Sequence, residues 1–98
     1  MCMASGVMTL RRVEIRVTGH VQGVFFRSEA QNVAQGLGLG GFVRNEDDNS
    51  VTIVAEGEAG KLQKLIEWIS VGTPLSRVDD AKTEWREATG EFSNFEIK

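Results

Sequence analysis

The chain has 98 residues, of which 41% are apolar and 26% are charged, which is typical of one globular domain rather than of a disordered chain. The net charge of −3 argues against general nucleic-acid binding, and no apolar run approaches the roughly 20 residues that a membrane helix needs. A single cysteine, Cys2, cannot form an intrachain disulfide, and no secretory signal is recognisable, so we expect a cytoplasmic protein.

Charge is distributed unevenly along the chain. Residues 1–45 carry five arginines against two glutamates, whereas residues 46–98 carry six basic and twelve acidic side chains. Because an anionic ligand is attracted to a basic surface, we expect any anion site to lie in the first half.

The first half predicts a strand, a loop, a helix and a second strand. Residues 1–8 show no clear period and are expected to be a flexible extension before a domain at 9–98. Apolar residues alternate at 13–17, which indicates a half-buried strand, and two glycines at 19–23 predict a loop. Helical spacing from Phe26 predicts a helix that ends near 36–38, and residues 41–45 predict the next strand.

The second half predicts a turn at 46–49, a strand at 51–56, a helix at 59–69, a strand at 77–86 and a short last strand at 95–97. The order β-α-β-β-α-β with an extra C-terminal strand predicts an α+β, ferredoxin-like split β-α-β sandwich, with two helices packed on one face of an antiparallel sheet. The first two strands then run parallel with the third between them. We therefore expect the loop at 19–27 and Asn45 to share one edge of the sheet.

The loop after the first strand has the composition of an anion-binding site. Glycines allow successive backbone N–H groups to point to one side, and the following helix adds its positive N-terminal end. Arg27 lies in the first turn of that helix, and its guanidinium suits phosphate or carboxylate. An ordinary connection with a surface arginine fits the residues equally well. Asn45 has an amide that can hold a water, although asparagine at this position more often serves a hairpin turn.

Two longer motifs are more specific. Residues 19–27, with the sequence GHVQGVFFR, closely resemble the acylphosphatase signature G-x-V-Q-G-V-x-[FY]-R. Residues 41–57 match the second signature of that family, GFVRN followed at the right spacing by G-x-V and G, except that Asn49 occupies a glycine position. Asparagine tolerates a positive φ, so we expect the turn to be retained at a small cost in stability. The resemblance covers residues from about 9 to 98.

The resemblance implies a small, monomeric, metal-independent acylphosphatase without a cofactor, which hydrolyses an acyl phosphate to a carboxylate and inorganic phosphate. It implies that Arg27 binds the substrate phosphate and that Asn45 orients the attacking water. The same comparison implies a phosphate-binding loop formed by the backbone of His20, Val21, Gln22, Gly23 and Val24. Inorganic phosphate and sulfate are the expected competing anions. No nucleic acid or membrane is expected as a partner.

Two other classes of function remain open at this point. The first is a non-catalytic or weakly catalytic anion-binding module, since acylphosphatase-like domains also occur within larger hydrogenase-maturation proteins. The second is a general ferredoxin-like interaction domain, which would need neither Arg27 nor Asn45. His20, the only histidine, occupies a variable position of the motif, so we interpret it as a solvent-facing residue rather than a catalytic base.

Overall fold

The structure is a computed structural model that describes residues 10–23 and 25–98. The predicted extension at 1–8 and Val24 of the predicted loop lie outside the described residues. All the predicted elements are present, with ends that differ by a few residues, and they are β1 (Leu10–His20), α1 (Phe26–Gly36), β2 (Gly40–Asn45), β3 (Val51–Glu58), α2 (Ala59–Val71), β4 (Arg77–Glu87) and β5 (Phe95–Ile97). No helix within the described ranges has the length and apolar character needed to cross a bilayer.

The five strands form one sheet in the order β4-β1-β3-β2-β5. β3 pairs antiparallel with both β1 and β2, so these two strands run parallel and end at one edge, as predicted. The register fixes this arrangement, because Val17 of β1 and Asn45 of β2 both lie opposite Val51 of β3. The loop after β1 therefore begins beside the end of β2.

The prediction of an antiparallel sheet is wrong for one pair of strands. β5 runs parallel to β2, with Phe95 opposite Gly41 and Ile97 opposite Val43, so the sheet is mixed. The cause is the path of the chain after β4, which ends at Glu87 opposite Arg11, near the start of β1. From that end the chain crosses the sheet to the outer side of β2. There it forms β5, which runs in the same direction as β2.

Both helices pack on one face of the sheet, as the spacing of their apolar residues predicts. α1 contacts β2 and β5, whereas α2 contacts β4, β1 and β3. The rings of Phe26 on α1 and Trp68 on α2 join the helices, with centroids 5.4 Å apart. The core between the two layers consists of buried apolar side chains that include Val13, Ile15, Val17, Val43, Ile53, Leu62, Leu65, Ile69 and Phe95.

The opposite face of the sheet holds a buried carboxylate that the sequence pattern places on the solvent side of β3. Glu56 is only 8% exposed. Its Oε2 accepts hydrogen bonds from Arg12 Nη1 at 2.9 Å and from the backbone N–H of Thr89 at 3.0 Å, and its Oε1 accepts one from the N–H of Gly90 at 3.0 Å. These hydrogen bonds attach the segment between β4 and β5 to the central strand β3.

Burial by itself raises the pKa of Glu56, but the hydrogen bonds from Thr89, Arg12 and Gly90 outweigh burial, and the net pKa lies below the ordinary value of 4.5. A group whose pKa is lowered on folding stabilises the fold above its unfolded pKa. That stabilisation is lost as the pH falls through the folded value. The carboxylate therefore contributes to stability at neutral pH and not in acid.

Glu56→Gln is expected to lower the free energy of unfolding by roughly 2 kcal/mol at neutral pH, because the charged acceptor of several hydrogen bonds is lost. Urea unfolding at a series of pH values measures the effect. The difference from wild type should shrink as the pH falls below the ordinary pKa of 4.5. Glu84→Gln, in an exposed pair with Arg86, is the control and should change little. A Glu56→Gln difference that stays constant into acid would contradict this account.

The turn between β2 and β3 is closed by a hydrogen bond from the Glu46 N–H to the Ser50 carbonyl at 2.9 Å. Asn49 in this turn has φ 72°, the left-handed conformation that glycine adopts without a steric penalty. The glycine of the second motif is thus replaced by a residue in a conformation that costs most side chains roughly 1–2 kcal/mol, and less for asparagine.

Asn49→Gly is expected to stabilise the fold by roughly 0.5 kcal/mol, because relief of the positive φ exceeds the added entropy of the unfolded chain. Thermal or urea unfolding of the two proteins measures the difference. Asn49→Ala is the matched variant and should be less stable than wild type, since alanine tolerates this φ poorly. An alanine variant more stable than the glycine variant would contradict the argument.

Candidate functional site

Near the end of β1 lies a glycine that no other residue can replace without strain. Gly19 has φ 127°, and a Cβ at this position would clash with the carbonyl oxygen of Arg77 on β4. The pairing of β1 with β4 shifts register between Thr18 and Gly19. Such an irregularity bends the strand. The close approach of the two strands thus turns the chain toward the start of α1.

Arg27 lies in the first turn of α1 and lines a surface depression of about 280 Å³. Phe25, the N-cap residue of this helix, makes no side-chain capping hydrogen bond, and no other side chain among the described residues caps it. Its first N–H groups therefore add a partial positive charge at the same place. The remaining lining of the depression comes from the loop, the helix start and β5, namely Val21, Gly23, Phe25, Phe26, Ser28 and Ile97.

Arg27 differs from the other arginines in its lack of a protein partner. All seven arginines of the sequence lie within the described ranges. Six of them form ion pairs or hydrogen bonds: Arg11, Arg12, Arg16, Arg44, Arg77 and Arg86. The guanidinium of Arg27 forms no ion pair or hydrogen bond with any described residue. Its charge and its five donors are therefore accessible to a small anion.

Asn45, the last residue of β2, carries an unsatisfied acceptor. Its Oδ1 is buried and accepts no hydrogen bond from any residue that the structure describes. A buried acceptor without a donor costs about 1–3 kcal/mol, so its retention calls for a ligand or a water that donates to it. Asn45 shares the helix-covered side of β2 with the buried Val43, two residues earlier.

Gln22 connects the loop to the strand end that carries Asn45. Its Nε2 donates to the carbonyl oxygens of Glu46 and Ser50, each at 2.9 Å. The two acceptors lie on either side of the β2–β3 turn, and Glu46 directly follows Asn45. The side-chain amide of Gln22 thus fixes the position of the loop relative to β2. The Thr52 hydroxyl and the Arg44 guanidinium hold the pKa of Glu46 below its ordinary value.

The predicted site residues do not all line one depression. Val21, Gly23 and Arg27 line the depression described above, whereas Asn45, Gln22 and His20 do not. His20 is exposed and lines a separate depression together with Gln22, Asn49, Arg77 and Asp79. Val24 lies outside the described residues. Within the described ranges, no group of three or more His, Cys, Asp or Glu side chains is arranged to hold a metal ion.

The structure adds two residues that sequence reasoning missed. Phe25 precedes α1 with φ 63° and ψ 14°, and its side chain is 72% exposed. A left-handed conformation of a bulky residue costs of order 1–3 kcal/mol, and an exposed ring recovers little of that by burial. Ile97 of β5 lines the same depression. Neither residue was indicated as a site residue by the sequence. Phe25 occupies a variable position of the motif, and Ile97 reaches the depression only through the tertiary structure.

Comparisons with known proteins point to one family. A family model described as Acylphosphatase matches residues 13–97. An acylphosphatase of Pelotomaculum thermopropionicum is 42% identical over 90 residues, which is 92% of this chain and 98% of that protein. The crystal structure of acylphosphatase from Bacillus subtilis aligns with a TM-score of 0.87 and 36% identity, over 90% of this chain and 98% of that one.

A third similarity is to part of a much larger protein. The crystal structure of full-length HypF in the phosphate- and nucleotide-bound form aligns with a TM-score of 0.86 and 31% identity, over 94% of this chain but 12% of that one. The family model and the two acylphosphatases described above, each aligned over 98% of its length, agree on one family and one reaction. The chain belongs to the acylphosphatase family, whose function is the hydrolysis of acyl phosphates.

Proposed function

We propose that the chain hydrolyses acyl phosphates at the edge of the sheet where β1 and β2 end, with Arg27 as the phosphate-binding residue. The observation that carries this assignment is the guanidinium of Arg27 at the start of α1, which pairs with none of the residues that the structure describes. Arg27 donates to two phosphoryl oxygens, and the backbone N–H groups of the loop at 20–24 donate to the same group. The competing anions are then inorganic phosphate and sulfate.

Asn45 positions the attacking water in this proposal. Its buried Oδ1 has an acceptor site that a water molecule satisfies by donating one hydrogen. The water oxygen forms a bond to phosphorus as the bond from phosphorus to the acyl oxygen breaks, and the carboxylate leaves with the electron pair. The water proton passes to a phosphoryl oxygen of the substrate. Arg27 stabilises the charge on the phosphoryl oxygens throughout.

A mixed carboxylic–phosphoric anhydride suits this set of residues because the bond is already activated. Neither Arg27 nor Asn45 acts as a general base, and His20 is exposed in a different depression. Catalysis then depends on positioning and on charge stabilisation. Gln22 supports both by holding the loop against the β2–β3 turn. We further propose that the protein acts in the cytoplasm, as its single cysteine favours, and as a monomer, as the family resemblance implies.

The second candidate is an anion-binding module without turnover. The similarity to 12% of full-length HypF supports it, because a domain of this fold there forms part of a larger protein. A module needs Arg27 to hold an anion, but it has no use for the unsatisfied oxygen of Asn45. Retention of that costly acceptor favours the enzyme. Measured turnover of an acyl phosphate separates the two functions directly.

Arg27→Ala is expected to lower kcat/KM for benzoyl phosphate by roughly 1,000-fold, because charge stabilisation of the transferred phosphoryl group is lost. Inhibition by inorganic phosphate should be lost with it. The assay follows benzoate release with EDTA present, so that turnover and metal dependence are measured together. Arg86→Ala, which removes an arginine on β4, is the matched control and should keep the activity.

One result would contradict the assignment of Arg27, and another would contradict the enzymatic function. Unchanged phosphate inhibition in a folded Arg27→Ala protein would exclude Arg27 from the phosphate site. Wild-type protein that binds phosphate but releases no benzoate would favour the module over the enzyme.

Asn45→Ala is expected to lower kcat roughly 100-fold while the inhibition constant of phosphate changes little, since the water and not the phosphate loses its partner. The same variant should not be less stable than wild type, because it removes an unsatisfied buried acceptor. Steady-state kinetics and urea unfolding measure both effects. Asn32→Ala, on an exposed position of α1, is the control. Loss of phosphate binding in folded Asn45→Ala would contradict the water-positioning role.

A further inference from the structure

We propose that Phe25 and Ile97 form an apolar wall that binds the acyl group, so that this enzyme selects acyl phosphates with uncharged, apolar acyl groups. The inference rests on the proposed function, because it takes the phosphate to be bound by Arg27. It concerns the other half of the substrate, to which the family resemblance assigned no binding residue.

The depression around Arg27 is mainly apolar. Val21 and Phe26 are each 1% exposed and form its floor, whereas the side chains of Phe25 and Ile97 are exposed at its rim. The acyl carbon of the substrate is joined to phosphorus through a single oxygen. A phosphate held by Arg27 therefore brings the acyl group within contact distance of this lining. Apolar acyl groups gain from burial against it.

The position of Phe25 is set by the start of α1 and not by packing of its ring. Its carbonyl oxygen accepts hydrogen bonds from the Glu29 N–H and the Ser28 hydroxyl, each at 3.1 Å. These bonds hold the residue in its left-handed conformation and leave the ring in solvent. A strained, exposed aromatic next to an anion site is a feature that function explains and packing does not.

Ile97 reaches the rim from a different element. β5 pairs in parallel with β2, so it ends at the same edge of the sheet as β1 and β2. Ile97 lies opposite Val43, and the N–H of Lys98 donates to the carbonyl of Val43 at 2.8 Å. Two independent backbone arrangements thus bring an aromatic and a branched apolar side chain to the same depression.

A second depression indicates which acyl groups are disfavoured. Phe25 also lines a neighbouring space of about 250 Å³ together with Pro74, Leu75 and Glu29. Leu75 is 64% exposed, so the apolar surface continues beyond Phe25. Glu29 carries a negative charge at its border. An acyl group with a second carboxylate or phosphate is repelled there, whereas an aromatic or aliphatic group is accepted.

The test compares benzoyl phosphate, which has a phenyl group, with acetyl phosphate, which has a methyl group at the same position. We expect Phe25→Asn to lower the ratio of kcat/KM for benzoyl phosphate to kcat/KM for acetyl phosphate about tenfold, since the larger apolar group loses more contact. Asparagine tolerates the positive φ of this position. Phe25→Leu should keep most of the ratio, and Val71→Ala, an exposed residue that lines neither depression, should keep all of it.

Ile97→Thr is the second variant, because threonine keeps a β-branched side chain in β5 and reduces the apolar surface. A lowered ratio in this variant supports the wall independently of Phe25. An unchanged ratio in both Phe25→Asn and Ile97→Thr, with wild-type turnover intact, overturns the inference and leaves the proposed function standing. An equal loss for both substrates in Phe25→Asn, together with weaker phosphate inhibition, assigns Phe25 to the phosphate loop and also overturns the inference. Wild type that hydrolyses neither substrate overturns the proposed function itself.

Discussion

β3 hydrogen-bonds antiparallel to β1 on one side and to β2 on the other, and this double pairing sets the geometry of the whole molecule. The two outer strands must then run parallel. Their ends come to one edge, where the loop residues 21–23 and Asn45 are found. Val51 of β3 lies between Val17 and Asn45 in a single row across the sheet. The apolar side chains on the helix-covered side of these strands supply the burial that keeps the row in place.

At the opposite ends of these strands, an ion pair and hydrogen bonds to a carboxylate hold the structure together. There, the buried Glu56 joins β3 to Arg12 of β1 and to the backbone of the segment that follows β4. That segment leads the chain to β5, whose direction brings Ile97 to the proposed site at the other end of the sheet. Glu56 thus helps to position a residue at the far end of the sheet without contacting it.

Unfavourable local features are concentrated at the edge with the proposed site. Arg27 has no protein partner among the described residues, the Asn45 Oδ1 accepts no hydrogen bond from them, and Phe25 is strained and exposed. Elsewhere the arginines are paired and Glu56 is surrounded by donors. Proteins commonly depart from their most stable arrangement where a ligand is bound, because the ligand supplies the missing interactions. All three departures lie in or next to the strand ends where the binding site is proposed.

The sequence by itself determined the order of the elements, the pairing of β1, β2 and β3, and the family, because hydrophobic periodicity and two motifs are local properties of the chain. It also indicated Asn49 as a turn residue with positive φ, which the structure confirms. The roles predicted for Arg27 and Asn45 stay predictions. Only the tertiary structure decided the parallel pairing of β5, the burial of Glu56 and the approach of Ile97 to Arg27. These depend on the path of residues 88–94 across the sheet, and no local pattern encodes contacts between residues so far apart in the chain.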